Sequence, residues 1–173
     1  GKPIRIICSK EGASQMVAVL LLDNGFEDLG FLDGGIAAWL QLQIPRLVHS
    51  ENGTELWQFI RPAFKTCSHA LIAGGEMALI DPVRCIPFYE NFAAEKGAKC
   101  TAAVETGLRK RWLSGTPSLH QKGTKIFAPE DEFKDSTLEF RPLSDGDAVA
   151  EEGVLSNLVA AFSQGGTSLL VFG

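Results

Sequence analysis

Histidine, paired cysteines, long apolar runs and strong charge of one sign are what this sequence has least of, and each scarcity closes off a class of function. Three histidines occur in 173 residues, His49, His69 and His120, and each reads as a surface or hydrogen-bonded side chain rather than a metal ligand. The four cysteines (Cys8, Cys67, Cys85, Cys100) include no C-x-x-C pair, which excludes a zinc knuckle and a thioredoxin-type motif. Cys67 and His69 share one face of a strand, but two donors without a third make a poor site. No apolar run approaches the ~20 residues of a membrane span, and no signal peptide precedes the first strand. Charged residues make up 21% of the chain and the net charge is −5, so no nucleic-acid or anionic-membrane partner is expected. Arg109-Lys110-Arg111 is too short a basic stretch to change that. Free thiols beside a reactive one fit a reducing cytoplasm.

What is present is enough apolar material, 45% of residues, for one real core or two small ones. The chain opens with a short apolar strand, Pro3 to Cys8, followed by the loop Ser9-Lys10-Glu11-Gly12-Ala13-Ser14 and a helix from Gln15 to Leu22. Unsatisfied N–H groups at a helix N-terminus carry partial positive charge, so a thiolate placed there is stabilised and nucleophilic. A cysteine ending a buried strand can equally be plain core. After the helix come Asp23-Asn24-Gly25-Phe26, a strand at Leu29 to Leu32, the turn Asp33-Gly34-Gly35 and a helix carrying Trp39 and closing near Pro45.

The segments Ile-Cys-Ser-Lys-Glu-Gly-Ala-Ser, Leu-Leu-Asp-Asn-Gly-Phe and Leu-Asp-Gly-Gly-Ile-Ala-Ala-Trp resemble the C-terminal half of a rhodanese domain over roughly residues 1–45. The resemblance implies a persulfide held on Cys8, with the loop Ser9, Lys10, Glu11, Gly12, Ala13 and Ser14 around its terminal sulfur. It also implies a small sulfur donor and a thiol acceptor as partners. Rhodaneses with strong thiosulfate activity carry arginines where this chain has Ser9 and Ala13, leaving Lys10 as the loop's one cation beside Glu11. Related phosphatase loops need an arginine six residues after the cysteine, to grip a phosphate bidentately. That place holds Ser14, which excludes a phosphatase.

Residues 46–56 are polar and aperiodic, with Asn52-Gly53 as a turn signal, and read as a linker. Beyond it, residues 57–173 read as short strands: Gln58 to Phe64, Ser68 to Ala73 and Glu76 to Ile80, the last two joined at Gly74-Gly75. A helix from Pro87 to about Lys96 follows, then strands at Lys99 to Glu105, Lys125 to Ala128 and Leu138 to Leu143. Val154 to Phe162 and Thr167 to Phe172 make a last pair around Gln164-Gly165-Gly166. The expected class is α/β, a partial parallel sheet with helices followed by half of an α/β sandwich.

Phe64-Lys-Thr-Cys-Ser-His-Ala-Leu-Ile, Ala78-Leu-Ile-Asp-Pro-Val and Val104-Glu-Thr-Gly-Leu-Arg-Lys-Arg-Trp-Leu-Ser-Gly115 resemble the N-terminal half of a metallo-β-lactamase fold, of the persulfide dioxygenase and glyoxalase II type. That branch often occurs fused to rhodanese domains, so the two resemblances support one another. The positions aligned with the family's ligands hold Gly107, Arg109, Arg111, Trp112 and Gly166, so no metal and no cofactor is expected, nor an active metallo-hydrolase or dioxygenase. Asp81-Pro82 occupies a position that ends a strand and starts a turn.

Three readings stay open: a sulfurtransferase or persulfide carrier using Cys8, a non-catalytic interaction or regulatory module, and a thiol redox sensor. Because the rhodanese-like region lacks the family's N-terminal strands, its strand Ile4 to Cys8 is expected to pair within the chain, in a homodimer, or with a partner protein completing the sheet.

Overall fold

The computed structural model describes residues 2–108, 113–144 and 146–147, together with the backbone of 158–163 and 167–172. The chain divides into two compact units, Gly1–Gln43 with Arg61–Thr66, and Ile44–Ile60 with Cys67–Gly173.

In the first unit, β1 (Ile4–Ile6) leads through a short turn into α1 (Glu11–Asp23), then β2 (Leu29–Phe31) and α2 (Gly35–Gln41). β1 and β2 pair in parallel with Ile4 opposite Leu29 and Ile6 opposite Phe31, and among the described residues no third strand joins this sheet. The loop expected over Ser9 to Ser14 is shorter: α1 begins at Glu11, four residues before the Gln15 expected from sequence. Ala13 and Gln15 are good helix formers, and Gly12 falls in the first turn, where its backbone freedom costs little. α1 stops at Asn24, with Gly25 at φ +85° and amides of Gly25 and Phe26 donating to the carbonyls of Leu22 and Leu21. This left-handed ending satisfies carbonyls that the helix leaves open. Of α1's residues only Ser14 and Ala18 are buried, while Met16, Val17, Val19, Leu20 and Leu22 are exposed.

The second unit is built on a seven-stranded sheet whose strands lie in chain order. They are β3 (Ile44–Glu51), β4 (Thr54–Arg61), β5 (Thr66–Ala73), β6 (Glu76–Ile80), β7 (Lys99–Val104), β8 (Lys125–Pro129) and β9 (Arg141–Leu143). β3–β4 and β5–β6 are antiparallel, whereas β6 through β9 run parallel. Residues 46–56, expected as a linker, instead form the hairpin β3–β4, with Asn52 and Gly53 at φ +50° and +79° in its turn. Its polar residues misled the sequence reading because every residue of β3 is exposed, so no apolar alternation marks it. β9 keeps only the last three residues of the strand expected from Leu138. Two helices were not expected from sequence, α4 (Thr116–Gln121), which carries His120, and α5 (Glu130–Phe133). β10 (Leu158–Ser163) and β11 (Thr167–Phe172) form an antiparallel pair. The expected start at Val154 and the turn Gln164 to Gly166 lie outside the described residues.

Sheet-wide burial explains the near-continuous apolar runs of β5 to β7. One face packs Phe59, Met77, Leu79, Ala103 and Ile126 against α3 (Ile86–Glu95) and Leu119 of α4. There Phe59 meets Phe88, Tyr89 and Phe92 edge-on at ring distances of 5.1, 5.5 and 4.9 Å. The other face gathers Leu71, Ile80, Ala102, Val104, Phe127 and Leu143. Tyr89 brings one polar atom into the core, and its hydroxyl lies 2.8 Å from Ser68 Oγ and accepts from Val83 N at 3.0 Å. Buried polar groups are tolerated where they are paired in this way.

His69 on β5 is half-buried, with Nε2 3.2 Å from Gln58 Nε2. Burial lowers its pKa, and the charge of Asp81 only partly offsets this. The folded state therefore disfavours the protonated ring and the unfolded chain binds the proton more readily. The resulting stability is present above the unfolded value of about 6.5 and is lost as pH falls below it. Denaturant midpoints should drop between about pH 7.5 and 5.5, and His69→Gln should flatten that drop. Equal slopes in the two proteins would assign the acid sensitivity to other groups.

Candidate functional site

Two places have the makings of a site, one in each unit. The first surrounds Cys8. β1 delivers the cysteine to the two-residue turn Ser9-Lys10, and α1 starts immediately after. Tight contacts from the start of α2 hold the turn: Ile36 N donates to Cys8 O at 2.9 Å and Ala37 N to Ser9 O at 3.1 Å. Gly34 and Gly35, at φ +63° and +65°, make this approach possible. A Cβ at Gly35 would lie 2.7 Å from Cys8 O and 2.9 Å from both Lys10 Cα and Ser9 O.

The Cys8 thiol is half-exposed, and its pKa is lowered. The main cause is the Lys10 backbone amide, followed by the Ser9 hydroxyl, whose Oγ lies 4.0 Å from Sγ; the Ser9 amide adds a little, against a small opposing desolvation. Hydrogen bonds to the charged form are what favour a thiolate here. Cys100 shows the opposite environment, as burial pushes its thiol up to about 11. No cysteine is in a disulfide.

The remaining loop residues separate in role. Ser9 and Lys10 form the turn, while Glu11, Gly12, Ala13 and Ser14 belong to the first turn of α1. Glu11 braces the site, because its carboxylate accepts from Gly34 N at 3.2 Å and from the Gln15 amide. Ser14 is buried on the helix's inner side and its hydroxyl finds no protein partner, so it is not placed as a loop donor. The bracing contacts from Gly34 and Gly35 were missed from sequence. The Gly-Gly pair before a helix was the available signal, since glycine is the default residue where the backbone turns left-handed or another backbone approaches closely.

The second place is the C-terminal end of β6 and β7, where the resemblance put a lost metal site. Asp81, at φ +52° and buried, accepts from Thr106 N at 2.8 Å and from Thr106 Oγ1 at 2.7 Å. Glu105, also buried, accepts from Ser114 Oγ and from Thr116 Oγ1 at 3.0 Å. The two hydroxyls lie 2.8 Å apart. Leu108 N donates to Glu132 Oε2 at 2.5 Å, which brings that carboxylate against Gly107.

These residues do not fit a metal. Asp81 and Glu105 are committed to hydroxyl and amide donors, and Gly107 offers no side chain. A Cβ at Gly107 would meet Glu132 Oε2 at 3.0 Å. Among the described residues no three His, Cys, Asp or Glu side chains are grouped to hold an ion. Arg109, Arg111, Trp112 and Gly166, also expected at ligand positions, lie outside the described residues. The histidines sit elsewhere: His49 on β3 is 3.4 Å from Glu51, and His120 on α4 is 3.7 Å from Glu139. No described helix is long and apolar enough to cross a membrane.

No protein-family model matches the chain, and no curated protein matches it in sequence. Among solved structures it is similar to a metallo-β-lactamase from Staphylococcus aureus subsp. aureus COL, with a TM-score of 0.56 at 22% identity over 64% of this chain and 34% of that one. The FIM-1 metallo-β-lactamase from Pseudomonas aeruginosa, in its mono-zinc form, is similar with a TM-score of 0.50 at 17% identity over 68% of this chain and 58% of that one. The DIM-1 metallo-β-lactamase matches equally well by TM-score, 0.50, at 13% identity. The chain spans from a third to under three-fifths of the length of these structures. The likeness shows an α/β fold of the metallo-β-lactamase kind.

Proposed function

We propose that the protein carries sulfur on Cys8 as a persulfide, within a rhodanese-like unit joined to a metal-free metallo-β-lactamase-like scaffold. The observation that carries this reading is the Cys8 thiol itself, lowered in pKa by the Lys10 amide and the Ser9 hydroxyl in the turn between β1 and α1. In the reaction the Cys8 thiolate attacks the outer sulfur of a persulfide donor, R–S–S⁻. A new S–S bond forms to Cys8 while the donor's S–S bond breaks, and R–S⁻ leaves and takes up a proton from water. A second thiolate then attacks the outer sulfur of Cys8–S–S⁻ and regenerates the Cys8 thiolate, with no net oxidation. With Ser9 and Ala13 at the places where arginines would hold a thiosulfate dianion, persulfide donors should react well and thiosulfate poorly.

The test is mass spectrometry after incubation with glutathione persulfide. Cys8 should gain one sulfur, an added thiol should remove it, and Cys8→Ser should abolish the gain. Iodoacetamide should alkylate Cys8 well before Cys100. Alkylation of Cys67, Cys85 or Cys100 ahead of Cys8 would sink the carrier reading. Reversible modification without transfer to a second thiol would point to a redox sensor.

A second reading, an interaction module, is favoured by the apolar residues of α1, which is apolar on nearly every side. Such helices are ordinarily buried, yet Met16 is 67% and Leu20 57% exposed. Under this reading a second copy of the chain covers α1 and extends the two-stranded sheet. Light scattering should give a dimer mass that Leu20→Glu returns to monomer, and a wild-type monomer would count against it.

A further inference from the structure

The N-terminal ends of the parallel strands, at the opposite end of β6 and β7 from Asp81 and Glu105, border a groove of about 770 Å³. Its lining includes Lys99 at the start of β7, Lys125 at the start of β8 and Arg141 at the start of β9, together with Lys122 and His120 from the end of α4. Four of the chain's sixteen lysines and arginines thus face one depression, in a molecule whose net charge is −5. Two carboxylates, Glu76 and Glu139, share the lining. Glu139 lies 3.7 Å from His120, and Lys122 is held by Glu90. Neither Lys99 nor Lys125 makes an ion pair among the described residues.

Polar groups in the groove add to this surplus of cations. The β6–β7 pairing slips between Met77 and Ala78, so that Cys100 faces Met77 and Ala102 faces Ala78 while Thr101 is left over as a bulge. Bulges re-aim side chains. Thr101 lines the groove, and its Oγ1 is buried without a hydrogen-bond partner. Buried hydroxyls are ordinarily satisfied, so one that is not is a place for an acceptor to arrive. Cys100 in the same wall holds its proton through neutral pH, with a pKa pushed to about 11 by burial, and so adds no opposing charge.

We propose that this groove binds a small phosphate-bearing molecule, with its phosphate between Lys99, Lys125 and Thr101. Two lysine ammonium groups, acting as point charges, and a hydroxyl donor suit a multiply charged group with several acceptor oxygens. The groove is far larger than a phosphate and falls within the usual range for organic ligands. Partly buried Phe140 offers an apolar wall for the remainder. The site is independent of Cys8 and of the sulfur-carrier reading.

Calorimetric titration of the whole chain at low ionic strength, where charge contacts are least screened, tests this with pyrophosphate and with ADP as probes. Both should bind saturably, with ADP the tighter. The double variant Lys99→Gln/Lys125→Gln should weaken ADP binding about tenfold or more, and Thr101→Val several-fold. Lys134→Gln, which lies outside the groove, and Cys8→Ser should leave it unchanged. Lys99, Lys125 and Lys134 are exposed and Thr101 is partly buried, so circular dichroism should first establish that each variant is folded. The proposal is overturned if neither probe gives saturable binding, or if Lys134→Gln weakens it as much as the double variant. It is also overturned if a short polyglutamate peptide binds more tightly than ADP with the same lysine dependence, since the ligand class would then be an acidic peptide.

Discussion

Replacing Gly35 by alanine is expected to cost the Cys8 turn its geometry and to slow Cys8 alkylation to the rate of an ordinary exposed thiol. The new methyl would sit 2.7 Å from Cys8 O and 2.9 Å from Lys10 Cα, and all three of its close neighbours are backbone atoms that cannot rotate away. It would also have to be held at φ +65°, which costs an L-residue roughly 1–2 kcal/mol before any clash is counted. Relief requires α2 to back off, which breaks the bonds from Ile36 N and Ala37 N to the turn. The Lys10 amide and Ser9 hydroxyl then no longer converge on the thiol, and its pKa returns upward. Gly12→Ala is the matched control. Nothing lies within 4 Å of a Cβ there, and alanine in a helix is favoured over glycine by roughly 0.5–1 kcal/mol. Alkylation rates followed by peptide mass spectrometry should therefore fall for Gly35→Ala and hold for Gly12→Ala. Equal rates would show that the turn does not depend on the close approach of α2.

A second large effect is expected at Asp81. Asp81→Ala removes the acceptor for both Thr106 N and Thr106 Oγ1. A buried donor left unsatisfied costs about 1–3 kcal/mol. Alanine is also less tolerant than aspartate of φ +52°. The loss should total about 2–4 kcal/mol, a large fraction of a typical domain's stability. Asp81→Asn keeps an oxygen for Thr106 N and a group that the threonine hydroxyl can face, so it should lose less than half as much. Chemical denaturation of the three proteins separates these cases. An Asp81→Ala protein as stable as the parent would mean that Thr106 has found other partners and that the network is dispensable.

The sequence was most legible where chemistry and burial repeat together. Glu76 to Ile80, the Gly74-Gly75 turn, the helix stopped by Gly97 and the strand from Lys99 were all readable, because buried strands on both faces produce apolar runs bounded by turn residues. β3 was not readable, since a strand with every residue exposed carries no periodicity. The start of α1 was misjudged because Lys10-Glu11-Gly12 looks like loop, and no side chain caps the helix to announce it. α4 begins after a glycine N-cap with proline in its first turn, a weak signal on six residues. At the candidate site, Cys8 was visible as a strand-ending cysteine before a helix. The donors that tune it are two backbone amides and a neighbouring hydroxyl, and the backbone part of that leaves no trace in side-chain identity. Similarly, Asp81 read as a turn residue, while its hold on Thr106 links positions 25 residues apart, a pairing that spacing alone does not encode.

The chain-order arrangement of the seven strands has a kinetic side. Each strand from β3 to β9 adds next to the one synthesised just before it, so each strand's partner has already been made when it emerges. The antiparallel hairpins close short loops, whereas the parallel pairs β6–β7 and β7–β8 must wait for the crossovers that carry α3 and α4 and are the slower steps. During synthesis the sheet can grow at one edge as residues leave the ribosome, with the β3–β4 hairpin emerging first, β5 and β6 adding to it, and each parallel strand docking once its crossover segment has emerged. The growing edge is then the part at risk. A nascent chain that has emerged only as far as Val104 would display the outer edge of β7 unpaired, and a chaperone-capture experiment on stalled chains should find its strongest signal there.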